Sequence, residues 1–145
     1  MVEGDHRLEG GKLALQKLSK LREQPTALMC SNDMTAIGVM RQAFELGIAV
    51  PQELSVIGFD DTRLADFMIP PLTTIQMSQT ELATLAFNAL LKEVKREAPA
   101  PNGTEYKLNT QLILRNSTTF PTSNNQVRSR VTPTRAAQVP PEDKD

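Results

Sequence analysis

The chain has 145 residues, with 16 Lys+Arg against 17 Asp+Glu, one His, one Cys and no Trp. A net charge of -1 argues against a general nucleic-acid or anionic-membrane binder, and the lone Cys30 excludes a disulfide framework or a Cys-rich zinc site. No apolar run approaches the ~18 residues that span a bilayer, and the charged start, Met1 to Gly11, lacks a signal-peptide core, so a cytoplasmic location with no membrane partner is expected.

Met1 to Gly4 reads as a possible first strand fragment, with His6 just past it. Ala14, Leu15, Leu18 and Leu21 recur at helical spacing and predict a helix over Gly10 to Leu21. Ala27 to Cys30 is an apolar run too short for a helix and long enough for a buried strand. Asn32 then offers an N-cap, and Asp33 stands in the first turn, where the helix dipole favours an anion. That helix runs to about Leu46, with Gly47 as its C′ residue and Pro51 as a breaker. Leu54 to Phe59 is the next strand, ending on Asp60-Asp61, and Leu64 to Met68 is a short helical turn before Pro70-Pro71. Thr73-Thr74-Ile75 is β-branched and strand-like. Ser78-x-x-Glu81 is a capping box that opens a helix to about Lys95. After a Pro- and Gly-containing loop over Ala98 to Gly103, Tyr106 to Leu108 and Gln111 to Leu114 predict a hairpin or meander. From Thr122 to Asp145 there is no aromatic residue and no apolar periodicity, which predicts a disordered tail after a 1–121 core. Arg128, Arg130 and Arg135 read there as ordinary solvated charges, with a weak basic contact strip as the alternative.

Alternating helices and strands predict an α/β fold with a mainly parallel sheet. Ligands of such sheets bind outside the carboxyl ends of the strands. Ser31-Asn32-Asp33, Asp60-Asp61 and His6 all follow strand ends in this order, so three polar clusters are expected to converge on one rim.

Gly4-Asp5-His6-x-x-x-x-Gly11, Ser31-Asn32-Asp33-Met34-Thr35-Ala36-Ile37-Gly38, Val50-Pro51, Leu54-Ser55-Val56-Ile57-Gly58-Phe59-Asp60-Asp61 and Pro70-Pro71-Leu72-Thr73-Thr74-Ile75 stand in register. In order and spacing they closely resemble the lactose-repressor/galactose-repressor (LacI/GalR) family of transcription regulators, from Met1 to about Pro121. The resemblance implies a periplasmic-binding-protein-like effector domain, two α/β subdomains around a ligand cleft. The chain starts where the family is past its midpoint, so it is expected to be a fragment: most of the C-terminal subdomain plus one crossover helix, Ser78 to Lys95. The DNA-binding headpiece is absent from this stretch. Without its family partner, the Leu82, Leu85, Leu90 face of that helix needs another cover.

The resemblance also implies roles. Asn32 falls where the family contacts polar groups of the effector, and an amide suits a hydroxyl that gives and takes hydrogen bonds; the plain alternative is a helix cap. Asp60 matches an acidic residue that accepts hydrogen bonds from the effector, against the alternative of an Asx-turn. His6 stands where the family commonly has an aromatic ring on the ligand, against the alternative of an exposed loop histidine. Asp61 reads as structural, and Asp33 is assigned mainly to the helix dipole. The helix Met34 to Glu45 carries two apolar stripes, Ile37-Met40-Phe44 with Arg41 beside it, and Ala36-Val39-Ala43-Leu46. A surface helix needs one. The resemblance places the first stripe, with Phe67, Met68 and Ile69, at the family's homodimer interface; the plain alternative is that both stripes are buried within one small domain.

Enzyme readings fare poorly. Asp60-Asp61 lacks the further carboxylates of a metal cage, Ser31 lacks a nucleophile elbow, and no phosphate-binding glycine loop is present. No metal or cofactor is expected. The function expected is effector sensing and dimerisation in a LacI-type regulator, with DNA reached only through a headpiece outside this chain. The alternative is part of a periplasmic-type sugar-binding transport protein.

Overall fold

A computed structural model describes residues 1–95 and 105–121. The loop expected over Ala98 to Gly103, and the tail from Thr122 with Arg128, Arg130 and Arg135, lie outside the described residues.

The elements run α1 (Leu8–Leu18), β1 (Ala27–Met29), α2 (Asp33–Glu45), β2 (Ser55–Phe59), α3 (Arg63–Phe67), β3 (Thr73–Met77), α4 (Gln79–Val94) and β4 (Thr110–Ile113). The four strands form one sheet in the order β1-β2-β3-β4. β1 and β3 lie parallel to β2, and β4 returns antiparallel to β3 with Ile75 opposite Leu112. This is the mainly parallel α/β sheet that alternation predicts. Two expected strands are corrected. Met1 to Gly4 forms none, because no neighbouring strand takes up its backbone among the described residues. Tyr106 to Leu108 forms none either: the partner of β4 is β3, so no local hairpin is built.

Local chemistry sets the helix ends. The Asn32 side chain accepts from the Thr35 amide at 2.9 Å, and Ser78 accepts from the Glu81 amide at 3.2 Å. Gly47, at φ 68, ends α2 in the left-handed form that glycine adopts freely.

The core lies between α1, α2 and one sheet face. It holds Leu15, Ala36, Val39, Met40, Ala43, Leu54, Val56 and Leu72. Cys30 joins it, and burial pushes its thiol up to about 11, with the Asp33 charge adding to the shift. The helices α1 and α2 cross at backbone contact. A Cβ on Gly11 would strike the Thr35 carbonyl, and one on Gly38 would strike the Leu8 carbonyl. Gln16 to Gln42 at 3.0 Å and Lys12 to Glu45 at 3.1 Å flank that crossing.

Met40 corrects the expected stripe on α2. It is 5% exposed and belongs to the core, and Ile37 and Met68 pack against that core. Met40 sits a turn beyond Ala36 and next to Val39, on the flank of the inward arc. Leu46, grouped by spacing with Ala36, Val39 and Ala43, is exposed.

The opposite face of the sheet is apolar. Register and alternation place Met29, Ile57, Phe59, Ile75 and Leu112 together on it. Met29 and Leu112 are exposed, the other three half-buried. The close packing of helix on sheet among the described residues is that of α2 on β2. α4 buries none of its residues, so Leu82, Leu90 and Val94 stand in solvent.

Candidate functional site

The rim at the carboxyl ends of β1 and β2 is built by side chains that cross between loops. Asn32 is committed at both ends of its amide: Oδ1 caps α2, and Nδ2 donates to the His6 carbonyl at 3.0 Å. One N–H and one lone pair remain for anything else. The Ser31 hydroxyl meets His6 Nδ1 at 3.0 Å. His6 is therefore held by its backbone and its ring, at φ 60. Two of the three expected ligand residues, His6 and Asn32, are in direct contact.

The third, Asp60, lies on a turn with an unusual backbone. Asp60 has φ 114 and Asp61 φ 50, conformations that cost a non-glycine residue about 1–3 kcal/mol each. Asp61 is tied down. Its carboxylate takes Arg115 at 2.7 Å and the Gln76 amide at 2.8 Å. Arg115, from the segment after β4, also donates to the Leu72 carbonyl at 2.9 Å and reaches Asp66 of α3 at 3.4 Å.

The Asp60 carboxylate is different: no hydrogen bond to it is made among the described residues. Burial raises its pKa, the nearby Asp33 charge raises it further, and His6 draws it partly back. An acceptor with unused lone pairs beside an imidazole is suited to a ligand rich in hydroxyl or amine donors. A groove continues from Asp60, Asp61 and Arg63 past Gln76 to Ser78 and Gln79 at the start of α4. His6 and Asn32 are not among its lining residues. Among the described residues no group of three His, Cys, Asp or Glu side chains is placed to hold a metal ion.

Asp33 stands in the first turn of α2, as expected for the helix dipole, and its hydrogen bonds add a role that the sequence reading did not include. It is fully buried, and its carboxylate accepts from Thr62 N at 2.7 Å, Thr62 Oγ1 at 2.9 Å and Thr74 Oγ1 at 2.6 Å. Gly58 makes this possible, since a Cβ there would collide with Asp33 Oδ1. A glycine inside a strand signals close approach by another group, so this neighbour was in principle readable. Arg115 was missed as well, and nothing in its local sequence marks it.

Of the expected association surface, Phe44, Phe67 and Ile69 are exposed at 78%, 71% and 94%. The Arg41 guanidinium lies 5.8 Å from the Phe44 ring centroid, and its Nε donates to Glu45 at 2.9 Å. Met40 is withdrawn from that surface, and Ile37 and Met68 lean inward on the core.

Residues 2–118 match the family described as a periplasmic binding protein-like domain. The HTH-type transcriptional repressor PurR of Escherichia fergusonii is 42% identical over 101 residues, 68% of this chain and 30% of that protein. A sugar-binding transcriptional regulator of the LacI family from Escherichia coli, complexed with phosphate, is 32% identical with a TM-score of 0.65, covering 79% of this chain and 40% of the other. A LacI family transcriptional regulator from Lactobacillus casei with bound glucose is 28% identical with a TM-score of 0.62, covering 77% and 40%. The chain thus spans about 30% of the curated repressor's length. The match runs through the rim itself, since His6, Asn32 and Asp60 all fall inside it: the chain belongs to the periplasmic binding protein-like domain family, in the form carried by LacI/GalR-type regulators.

Proposed function

We propose that this chain supplies effector recognition and self-association to a LacI-type transcription regulator, and that the effector is a sugar or a related polar small molecule. The observation that carries the reading is the open Asp60 carboxylate on a left-handed turn at the rim that also holds His6. His6 packs on the effector, Asp60 accepts from its hydroxyls, and Asn32 adds its spare N–H. The glucose-bound relative supports the ligand class. The related proteins named above are regulators, so transport is not favoured and no catalytic step is assigned. Such a regulator works in the cytoplasm and meets DNA through a separate headpiece.

The test grafts residues 2–118 into the matching segment of the Lactobacillus casei regulator and measures glucose binding by calorimetry. Asp60→Asn is expected to weaken binding about 10- to 100-fold, the cost of a hydrogen bond to a charged group. Affinity unchanged in both Asp60→Asn and His6→Ala would remove these residues from the effector site.

Self-association rests on Phe44, Phe67 and Ile69, apolar side chains left in solvent on α2 and at the end of α3. A two-fold dimer is the commonest way to cover such a surface. Met40 is unsuitable for probing it, because a charge there would unfold the core. Phe44→Asp changes an exposed side chain instead. Sedimentation at roughly tens of micromolar should show a dimer for the parent and a monomer for the variant. A monomeric parent would refute the interface.

A further inference from the structure

Asp33 is a fully buried carboxylate whose partners all lie outside its own helix. Its place in the first turn of α2 suits the helix dipole, but none of its hydrogen bonds goes to the amides of α2. Instead it turns to Thr62 with two hydrogen bonds and to Thr74 with a third. Thr62 directly follows the Asp60-Asp61 pair, whose two positive φ values relax unless something holds them. Arg115 and Gln76 hold the Asp61 side chain, and the Thr74 hydroxyl approaches the Asp61 amide at 3.4 Å. The Asp60 amide donates to the Ile75 carbonyl at 2.9 Å where the turn begins, and among the described residues Asp33 is the side chain that takes the Thr62 amide where the turn leaves for α3. The strand beneath is cut away to admit it, because any side chain at Gly58 would collide with Asp33 Oδ1. The residue before it, Asn32, holds His6 by the same device, a side chain reaching across to a loop backbone.

We propose that Asp33 is a positioning residue for effector recognition: from beneath the rim it holds the Asp60-Asp61-Thr62 turn in its left-handed form and so fixes where the Asp60 carboxylate stands. The purpose of the turn rests on the effector reading above; the hold itself does not need a ligand. Asn32 and Asp33, adjacent at the start of α2, then set the spacing between His6 on one loop and Asp60 on another.

The test uses the isotope-labelled 145-residue chain and Asp33→Asn. Asn keeps the shape but turns one acceptor into a donor that faces another donor. The Thr62 amide is expected to exchange with solvent at least about tenfold faster. The titration midpoint of Asp60 is expected to fall, since the Asp33 charge that raises it is gone while His6 remains. Amides inside α2 and β2 should exchange as before, a contrast that general loosening would not produce. A folded variant with unchanged Thr62 exchange and unchanged Asp60 titration would overturn the proposal. If Asp33→Asn does not fold, the isosteric Thr62→Val, which removes one hydroxyl partner of the carboxylate and leaves the Thr74 contact to the Asp61 amide in place, is expected to speed exchange of the amide at position 62 in the same way. No change there overturns it equally. Either negative result would unseat Asp33 and leave the effector reading to the graft experiment.

Discussion

Gly38→Ala will cost the fold about 2–3 kcal/mol, the usual penalty of overpacking a tight contact. The added Cβ meets the Leu8 carbonyl of α1, which is backbone and has no rotamer to escape into. α1 must move away as a unit, and Leu15 moves with it, out of the core. The Gln16 to Gln42 bond at 3.0 Å is stretched by the same shift. Alanine favours an isolated helix over glycine by about 1 kcal/mol, so a bare propensity argument predicts stabilisation and the crossing predicts the reverse. Thermal unfolding followed by circular dichroism decides between them. A fall of about 10–20 °C is expected for a domain of this size; an unchanged or higher midpoint would show that α1 does not press on α2 as described.

Ser117→Ala should be comparably damaging, for a reason of polarity rather than volume. Ser117 is fully buried where the segment after β4 enters between β2 and β3. Its hydroxyl donates to the Val56 carbonyl at 2.6 Å and accepts from the Thr73 amide at 2.8 Å. Its carbonyl accepts from the Val56 amide at 2.8 Å. Removing the hydroxyl strands a buried donor and a buried acceptor, each worth about 1–3 kcal/mol. A loss of about 2–4 kcal/mol is expected from urea denaturation, with hydrogen exchange accelerated first at Thr73. A loss below about 0.5 kcal/mol would mean that the two strands close on each other without the serine.

The parts legible in the sequence were those written in local chemistry. Asn32, Ser78 and Gly47 mark helix ends through their own hydrogen bonds or backbone freedom, and the structure uses all three that way. The strands at Ala27, Ser55 and Thr73 stood out as short apolar or β-branched runs between breakers. What was not legible depended on partners far along the chain. Tyr106 to Leu108 has strand composition, yet β4 pairs with β3, some thirty-five positions earlier, so no local hairpin follows. Met40 was grouped with Phe44 because both are large and apolar at helical spacing; only the position of the sheet shows that Met40 faces in and Phe44 out. Asp33 illustrates the limit at the rim. Its place in a first turn suggests a dipole role, and the three hydroxyl and amide partners come from Thr62 and Thr74. Periodicity carries no information about such contacts.

The uncovered sheet face has a calorimetric consequence. Met29 and Leu112 are wet in the folded chain and remain wet when it unfolds. Most of their surface is already hydrated before the transition, so they contribute less than buried residues of their size to its heat capacity increment, which tracks the apolar surface newly exposed. Leu90 and Val94 on α4 are in the same position. The curve of stability against temperature is therefore flatter than the chain's apolar content alone would suggest, and its cold limb correspondingly shallow.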